Sequence, residues 1–420
     1  MEEYVDKREW RTVEEREKDL VERLRWICTH AYEKAPAMTK RFDDVEFHPS
    51  QIKSLEDMEK IPITTRDDYV RIQRENPPFG GFLTVPPETL KRIYIHPGPQ
   101  YETLSDSDIE HARKILWKIG AKKGDVVINA LAYHFVPAGL LVDDIMTSMG
   151  ITVVPTGFGN TDLQVQIMHD LKATFFAGFP LFFMTVIKRA EEMGYDFRRD
   201  FHIKAAFAIG SSAIGKTLEE EYNITTKEAY AFLPVGIAAC VCEEGSGMHI
   251  EEDFIVEVVD PETGKQLPFG EVGEMVVTTT FNEILPRIRF GSGDLGSLID
   301  KPCPCGRTSN RIPKIVGRVG DAVKVRGMFL HPSEVEDVTS RILEISKFHV
   351  AVTHKDMKDI ISAKLELAKE DADREKITET FMKDFQNRCR VRVNTVDFVP
   401  KGTIPDDAKK VEDLREEIIL

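Results

Sequence analysis

From about Lys122 to Phe207 the chain alternates short β-rich runs with longer helical ones. They read DVVINAL, GLLVDDIMTSMG, ITVVP, LQVQIMHDLKA, TFFAGF, a helical stretch to Gly194, and IKAAFAIG. Strands that are each followed by a helix pair in parallel, because the helix carries the chain back across the sheet before the next strand begins. The rhythm therefore predicts a parallel sheet with helices packed on its faces. It also locates the ligand side. In such sheets ligands lie beyond the carboxyl ends of the strands, so the loops after Leu131, Pro155, Phe179 and Ile209 become site candidates.

Outside this block the pattern changes twice. From Ile250 the chain runs in short strands and turns, IEEDFIVEVVDPETGKQLPFGEVGEMVVTTT, with DPETGK placed as a tight hairpin turn. This predicts an antiparallel unit, a barrel or small sheet. After Gly317, DAVKVRG, a helix from Pro332, KFHVAVTH, IISAKLELA, a helix around 374–388 and VRVNTVDFV describe a compact α+β unit. Ahead of both, residues 11–35 carry Leu20, Leu24, Ile27 and Ala31 at helical spacing and stop before Pro36. The expected architecture is a large N-terminal α/β domain (1–317) of mixed parallel sheets, helices and a small antiparallel barrel. A boundary at 317–321, with a hinge at 318–321, leads to a small α+β domain (322–420). A chain of 420 residues exceeds what one core serves, which fits two domains.

A formal net charge of -15 argues against a partner with a polyanionic surface, so neither nucleic acid nor an anionic membrane is expected. Small molecules are the expected partners. The opening MEEYVDKREW is dense in charge, with no apolar leader, and no later run is long enough to span a bilayer, so a cytoplasmic location is expected.

Six cysteines in such a chain do not form a disulfide scaffold, and four of them cluster as Cys240, Cys242, Cys303 and Cys305. KPCPCGR puts Cys303 and Cys305 on a Pro/Gly loop, and His249 follows Cys242 across the EEGSG turn. Cys242, His249, Cys303 and Cys305 make a Cys3His set that suits tetrahedral zinc, in a closed structural site. The alternative is a group of small buried side chains and a turn histidine. A redox dithiol fits less well, because no helix follows to lower a thiol pKa.

The segments IPITTRDDYV, GITVVPTGFGNTDLQVQIMHDLKATFFAGFP, GKQLPFGEVGEMVVTTT, PRIRFGSGDLGSL and RIPKIVGRVGDAVKVRGMFLHPSEVE flank or precede the C-P-C-G-R loop in order. Together they resemble the adenylate-forming superfamily, and within it the phenylacetate-CoA ligase group. The resemblance covers most of the chain. It implies that a carboxylic acid attacks the α-phosphate of ATP to form an acyl-adenylate, and that coenzyme A then displaces AMP. It also implies ATP/AMP, Mg²⁺ and coenzyme A as ligands, a small domain that rotates between the half-reactions about a hinge supplied by Gly320 and Asp321, and a homodimer. By resemblance, Asp294 grips the ribose and Arg318 assists at ribose or phosphate. Tyr230 packs on adenine, Gly210 and Ser211 lie against it, Phe135 walls the acyl pocket, and Lys409, with Lys410 beside it, is the candidate for the adenylation lysine. Phe158 and Phe179 suit an apolar or aryl acid.

The chain departs from that pattern where phosphate is held. RIYIHPGPQYETLSD has one glycine, Gly98, and two prolines in place of a Ser/Thr/Gly-rich loop, so fewer backbone N–H groups can close on phosphate oxygens. Pro234 stands where relatives have a Mg²⁺-binding glutamate, and Ser212 or Ala213 replaces an acid. Three readings stay open. One is an ATP-dependent ligase with a different phosphate grip, from His96, Gln100, Tyr101 or Thr103. Another is a divergent member that binds AMP, acyl-CoA or acyl-adenylate without efficient adenylation. The third is a non-catalytic binding protein on the ligase fold.

Overall fold

The computed structural model describes residues 6–96, 100–208, 212–232, 234–321, 323–325, 328–330, 332–355, 358–369 and 371–415. Five parallel strands form the sheet at the centre of the α/β region, in the spatial order Thr152–Val154, Val126–Asn129, Phe175–Gly178, Ala205–Ala208, Thr225–Thr226. Side chains alternate across a strand, so an almost unbroken apolar run is what a sheet covered on both faces requires. Phe176, Ile128 and Ala206 meet Val165, Phe183, Val186 and Leu218 on one face. Phe175, Val127 and Phe207 meet Ile115, Leu116, Val142 and Ile145 on the other.

The strand order reverses between Val126–Asn129 and Phe175–Gly178. Where neighbouring crossovers leave in opposite directions, a crevice opens beyond the strand ends. The loops that follow these two strands carry Phe135 and Phe179, both exposed.

The antiparallel part is two four-stranded sheets. Ala229–Phe232, Gly236–Val241, Met248–Ile250 and Arg311–Ile312 form one; Phe254–Val259, Gly273–Thr279, Phe290–Gly296 and Ile315–Arg318 form the other. Between Val259 and Gly273 the expected DPETGK turn is present. The Asp260 carboxylate accepts from the N–H groups of Glu262 and Thr263, and Gly264 takes the positive φ that the reversal needs. The N-terminal helix Val13–Lys34 starts in a Thr12/Glu15 capping box and buries Leu20, Leu24, Ile27, Cys28 and Ala31 against both sheets.

Ile315–Arg318 is still a strand of the second sheet, and the short turn Val319–Asp321 follows it. Beyond it lies a separate core of Val350, Val352, Ile361, Leu365, Phe381 and Phe385. Its sheet runs Thr395–Val399, Lys358–Leu367, Ile345–Lys355, Val411–Asp413, a mixture of parallel and antiparallel pairs, with helices Pro332–Thr339 and Arg374–Cys389 packed together. The architecture is thus the expected large α/β domain with antiparallel sheets and a small α+β domain.

Candidate active site and metal centre

Asp294 sits on the strand Phe290–Gly296, directly opposite Arg318. Gly293 just before it has φ +72°, a left-handed kink that a residue with a Cβ adopts only under strain. The Asp294 carboxylate is largely buried. One oxygen accepts from the Tyr230 hydroxyl at 3.2 Å, and the other is 3.3 Å from Arg318 Nε. Burial pushes the Asp294 carboxyl above its ordinary range, opposed by Arg318, the Tyr230 hydrogen bond and the more distant Arg66. Burial, reinforced by the Asp294 charge, likewise drives Tyr230 far up, so its hydroxyl stays protonated and donates.

Arg66 was not singled out from the sequence. It opens the helix Arg66–Glu75, whose preceding residue pair docks on the Asp294 strand: Thr64 N–H donates to Arg289 O at 2.9 Å, and Gly291 N–H donates to Thr64 O at 3.0 Å. That bridge brings the helix beside Asp294. Arg66, Arg71 and Arg74 then line an open groove together with Arg318, among Asp67, Val70 and Glu75. Arg318 joins the two, since it lines the groove and pairs with the Asp294 carboxylate.

The segment in which a phosphate loop was expected is a short hairpin, Tyr94–His96 paired with Gln100–Glu102; Gly98 lies outside the described residues. His96, Gln100 and Thr103 turn inward and are buried. His96 Nε2 contacts the Glu102 carboxylate, and Thr103 Oγ1 donates to Arg92 O at 2.9 Å. Tyr101 has its backbone bracketed by the Gln73 side chain, at 2.8 and 2.9 Å. Sequence reasoning offered these four side chains as a replacement phosphate grip. Three of them are instead buried in the protein: the alternation of the short strands faces His96 and Gln100 inward, and Thr103, just past the strand, is turned to Arg92 O.

Phe135 is 72% exposed, which excludes a purely core role. His134 contacts its ring and leans towards Phe158. Gly210 and Ser211 lie outside the described residues, and the helix Ser212–Tyr222 follows them. Pro234 is buried beside the Tyr230 strand. Lys409 is exposed on the C-terminal loop, while Lys410 pairs with Glu336.

At the far edge of the antiparallel region, the four residues of the Cys3His set converge. Cys242 Sγ and Cys303 Sγ are 3.7 Å apart, Cys305 Sγ and His249 Nε2 are 3.4 Å apart, and all four ligand atoms lie within 4.8 Å of one another. Zinc–sulfur bonds of about 2.3 Å at tetrahedral angles separate ligand sulfurs by about 3.8 Å, so the spacing fits zinc. His249 Nδ1 is held by Ser309 Oγ at 3.1 Å, which presents Nε2 to the cluster. Burial, with the Arg307 and Arg311 cations, lowers His249 to about 4, so the ring is neutral, as a ligand must be.

The N-terminal segment is clamped on this knuckle. The Glu9 carboxylate meets Arg307 at 2.6 Å and also contacts Lys118, while Glu9 O accepts from Thr308 N–H at 3.1 Å. Trp10 Nε1 donates to Cys305 O at 3.3 Å, and Thr308 Oγ1 donates to Arg11 O at 2.6 Å. Lys118 continues to Glu251 at 2.6 Å. Sequence reasoning gave this segment no such part.

A phenylacetate-coenzyme A ligase of Aromatoleum evansii is 32% identical to the chain over 362 residues, covering 83% of the chain and 80% of the relative. The chain belongs to the phenylacetate-CoA ligase family. A second member, from Thermus thermophilus, is 30% identical over 350 residues, covering 80% and 77%. Residues 327–416 match the AMP-binding enzyme C-terminal domain. Among solved structures, an open conformation of 2-hydroxyisobutyryl-CoA ligase with 2-HIB-AMP and CoA superposes with a TM-score of 0.86 at 24% identity, over 96% of this chain and 93% of that one. That likeness gives the family fold across both domains. Among the described residues, no helix is long and apolar enough to cross a membrane.

Proposed function

We propose that the protein is an ATP-dependent acid–thiol ligase that joins an aryl or arylacetic acid to coenzyme A through an acyl-adenylate. The observation that carries this reading is the buried Asp294 carboxylate, held by Tyr230 and by Arg318, which also lines an arginine-rich groove. An ionised carboxylate accepts about four hydrogen bonds. Asp294 can thus take both ribose hydroxyls while keeping its protein partners. Arg318 and Arg66 offset the negative charge that phosphate brings close to a buried carboxylate. ATP would supply the leaving pyrophosphate. The acid carboxylate attacks the α-phosphorus, pyrophosphate departs, and the CoA thiol then attacks the acyl carbon as AMP leaves.

In this reading Gly210 and Ser211 lie against adenine beside Tyr230, Phe135 receives the apolar part of the acid, and Lys409 approaches from the small domain. Residues 1–317 and 322–420 are the moving bodies about the 318–321 hinge. Mg²⁺ would arrive with ATP, since Pro234 offers it no ligand atom. Zinc at Cys242, His249, Cys303 and Cys305 would be structural, because protein fills all four positions. The protein would work as a homodimer in the cytoplasm.

Pyrophosphate release over a panel of aryl, arylacetic and hydroxy acids, with ATP-Mg²⁺ and CoA, tests the proposal. Acid-dependent release with thioester formation is the expected result. The inward-turned hairpin favours a second reading, in which the enzyme uses acyl-adenylate without making it efficiently. Turnover of synthetic acyl-AMP with CoA, without acid-dependent pyrophosphate release, would select that one. Neither activity would leave a binding protein.

A further inference from the structure

The loop 130–137 has a conformation that its sequence does not ask for. Phe135 has φ +64°, a region that bulky side chains avoid. Val136 N–H donates to His134 O at 2.8 Å, which closes a three-residue turn with Phe135 at its apex. Turns of this kind with positive φ are rare and strained. Such strain persists only where the surroundings over-determine it, and here they do. The fully buried Asn129 side chain donates to Gly139 O at 2.9 Å and to Tyr133 Oη at 2.7 Å, and accepts from Leu131 N–H at 3.3 Å. Tyr133 in turn donates to Asp143 at 2.8 Å. Gly139 N–H donates to Ala132 O at 2.8 Å, an approach so close that a Cβ on Gly139 would lie 2.4 Å from that oxygen.

The strained residue faces two ways. Its ring projects into solvent beside His134, whose other side meets Phe158. Its carbonyl accepts from Ile95 N–H, on the short hairpin, at 2.8 Å. In that hairpin Ile95 stands opposite Tyr101, and the flanking pairs are Tyr94 with Glu102 and His96 with Gln100. In an antiparallel pair the ladder bonds alternate. The outward-facing groups of the Ile95–Tyr101 pair go to Phe135 on one side and to Gln73 on the other.

We infer that Phe135 is a positioning residue that couples the acid to the nucleotide, an inference that rests on the ligase reading above. An acid packed on the Phe135 ring favours the strained turn over its relaxed alternatives. The turn in that form presents the carbonyl that holds Ile95, and so holds the hairpin against Gln73 of the helix Arg66–Glu75, which lines the arginine groove. Each ligand then binds better when the other is present, because both favour one loop conformation.

The test is a set of calorimetric titrations of AMP into the full-length protein. AMP is titrated alone, and again at saturating concentration of whichever of phenylacetate, benzoate and 2-hydroxyisobutyrate most raises the melting temperature. The carboxylate and the AMP phosphate repel one another equally in every variant, so the informative quantity is the ratio of AMP affinities with and without acid, compared between variants. Ile95→Pro removes the N–H that reaches Phe135 and spares the ladder bonds. The ratio is expected to be about tenfold higher in the wild type than in Ile95→Pro. Phe135→Gly accepts positive φ without strain and keeps the carbonyl while removing the ring, so it should lower the ratio as well, and it serves if Ile95→Pro does not fold. Equal ratios in the wild type and in a folded variant overturn the coupling while leaving the ligase reading intact. Failure of the wild type to bind AMP, or any of the acids, overturns both.

Discussion

The knuckle loop 303–309 and the hairpin 94–102 sit in the same large domain, yet they are held very differently. The knuckle loop is tied by Glu9, Trp10, Arg11 and Arg16 through side chains and backbone, and by the cysteine–histidine cluster itself. Among its described residues, the hairpin is tied to other elements by backbone hydrogen bonds to Phe135 O and the Gln73 side chain, and Thr103 closes its base on Arg92 O. Redundant bracing makes a region rigid and costly to damage at its centre. Sparse bracing leaves a region whose position a ligand can bias. On the readings proposed above, the difference separates a structural anchor from a region whose position ligands bias, and the expectations below sharpen or break it.

The largest effect is expected at the anchor. With zinc held there as proposed, Cys303→Ser or treatment with a chelator should abolish metal binding and cost more than about 4 kcal/mol of stability, since the binding energy of a structural metal is largely folding energy. Hydrogen exchange should rise across residues 6–12 and 303–309 together. An unaltered melting temperature, with no metal in the purified wild type, would reduce the cluster to buried thiols.

Next comes Glu9. Its carboxylate serves Arg307 and Lys118, both largely shielded from solvent. Glu9→Ala leaves two buried cations without that partner and should cost about 3 kcal/mol. A loss below about 1 kcal/mol by denaturant unfolding would show the clamp to be decoration on an already rigid loop.

Behind the hairpin, Asp108 gives a pH signature. It caps the helix Asp106–Ile119 and accepts from Ser105 N–H at 2.7 Å and from Asn282 Nδ2 at 2.9 Å. Burial raises its carboxyl to about 6, with Glu102 adding to the shift and the Ser105 hydrogen bonds opposing it. A raised folded-state pKa means that the folded protein holds this proton more tightly than the unfolded chain does. The stabilisation is therefore complete below about pH 4 and is lost as pH rises through about 6, a change of roughly 2–3 kcal/mol. Unfolding free energies of the wild type and Asp108→Asn should differ most in slope between pH 4 and 6.5, with the variant flatter. Parallel slopes would place this carboxyl outside the pH response.

What the sequence made legible follows from the range of the interactions. The parallel sheet could be read because its signal is local, strand after helix after strand. The Cys3His set could be read because thiols and imidazoles at loop spacing are rare enough to stand out. The N-terminal clamp could not, since Thr308 and Arg11 meet across 297 residues and neither carries a local signal. Arg66 looks like any solvated charge until Thr64 pairs with the strand of Asp294. The turn at Phe135 has no glycine or asparagine to announce positive φ. The inward orientation of His96 and Gln100 depended on strand register, which a three-residue strand hardly fixes.

At the site itself, Asp294→Asn should weaken AMP binding by about 30-fold, because neutralising the acceptor roughly halves the strength of its hydrogen bonds to ribose, a loss larger than the gain from removing a carboxylate near the phosphate. Retention of full affinity would move the ribose elsewhere.

The smallest effect expected is at Arg66, and it discriminates most finely between the two regions. Arg66 is exposed, so salt and water screen it, and its contribution to phosphate binding should be about 1 kcal/mol, near a fivefold change in affinity. Arg66→Ala should weaken binding of ATP or CoA fivefold at 50 mM salt and by less than twofold at 500 mM, with little change in melting temperature. Arg66→Lys should restore most of the loss, because a screened, exposed site reads charge more than geometry. If Arg66→Ala instead lowers stability and leaves ligand affinity unchanged, the groove belongs with the knuckle as scaffold. The cationic side of the site would then have to come from Arg318 and the small domain.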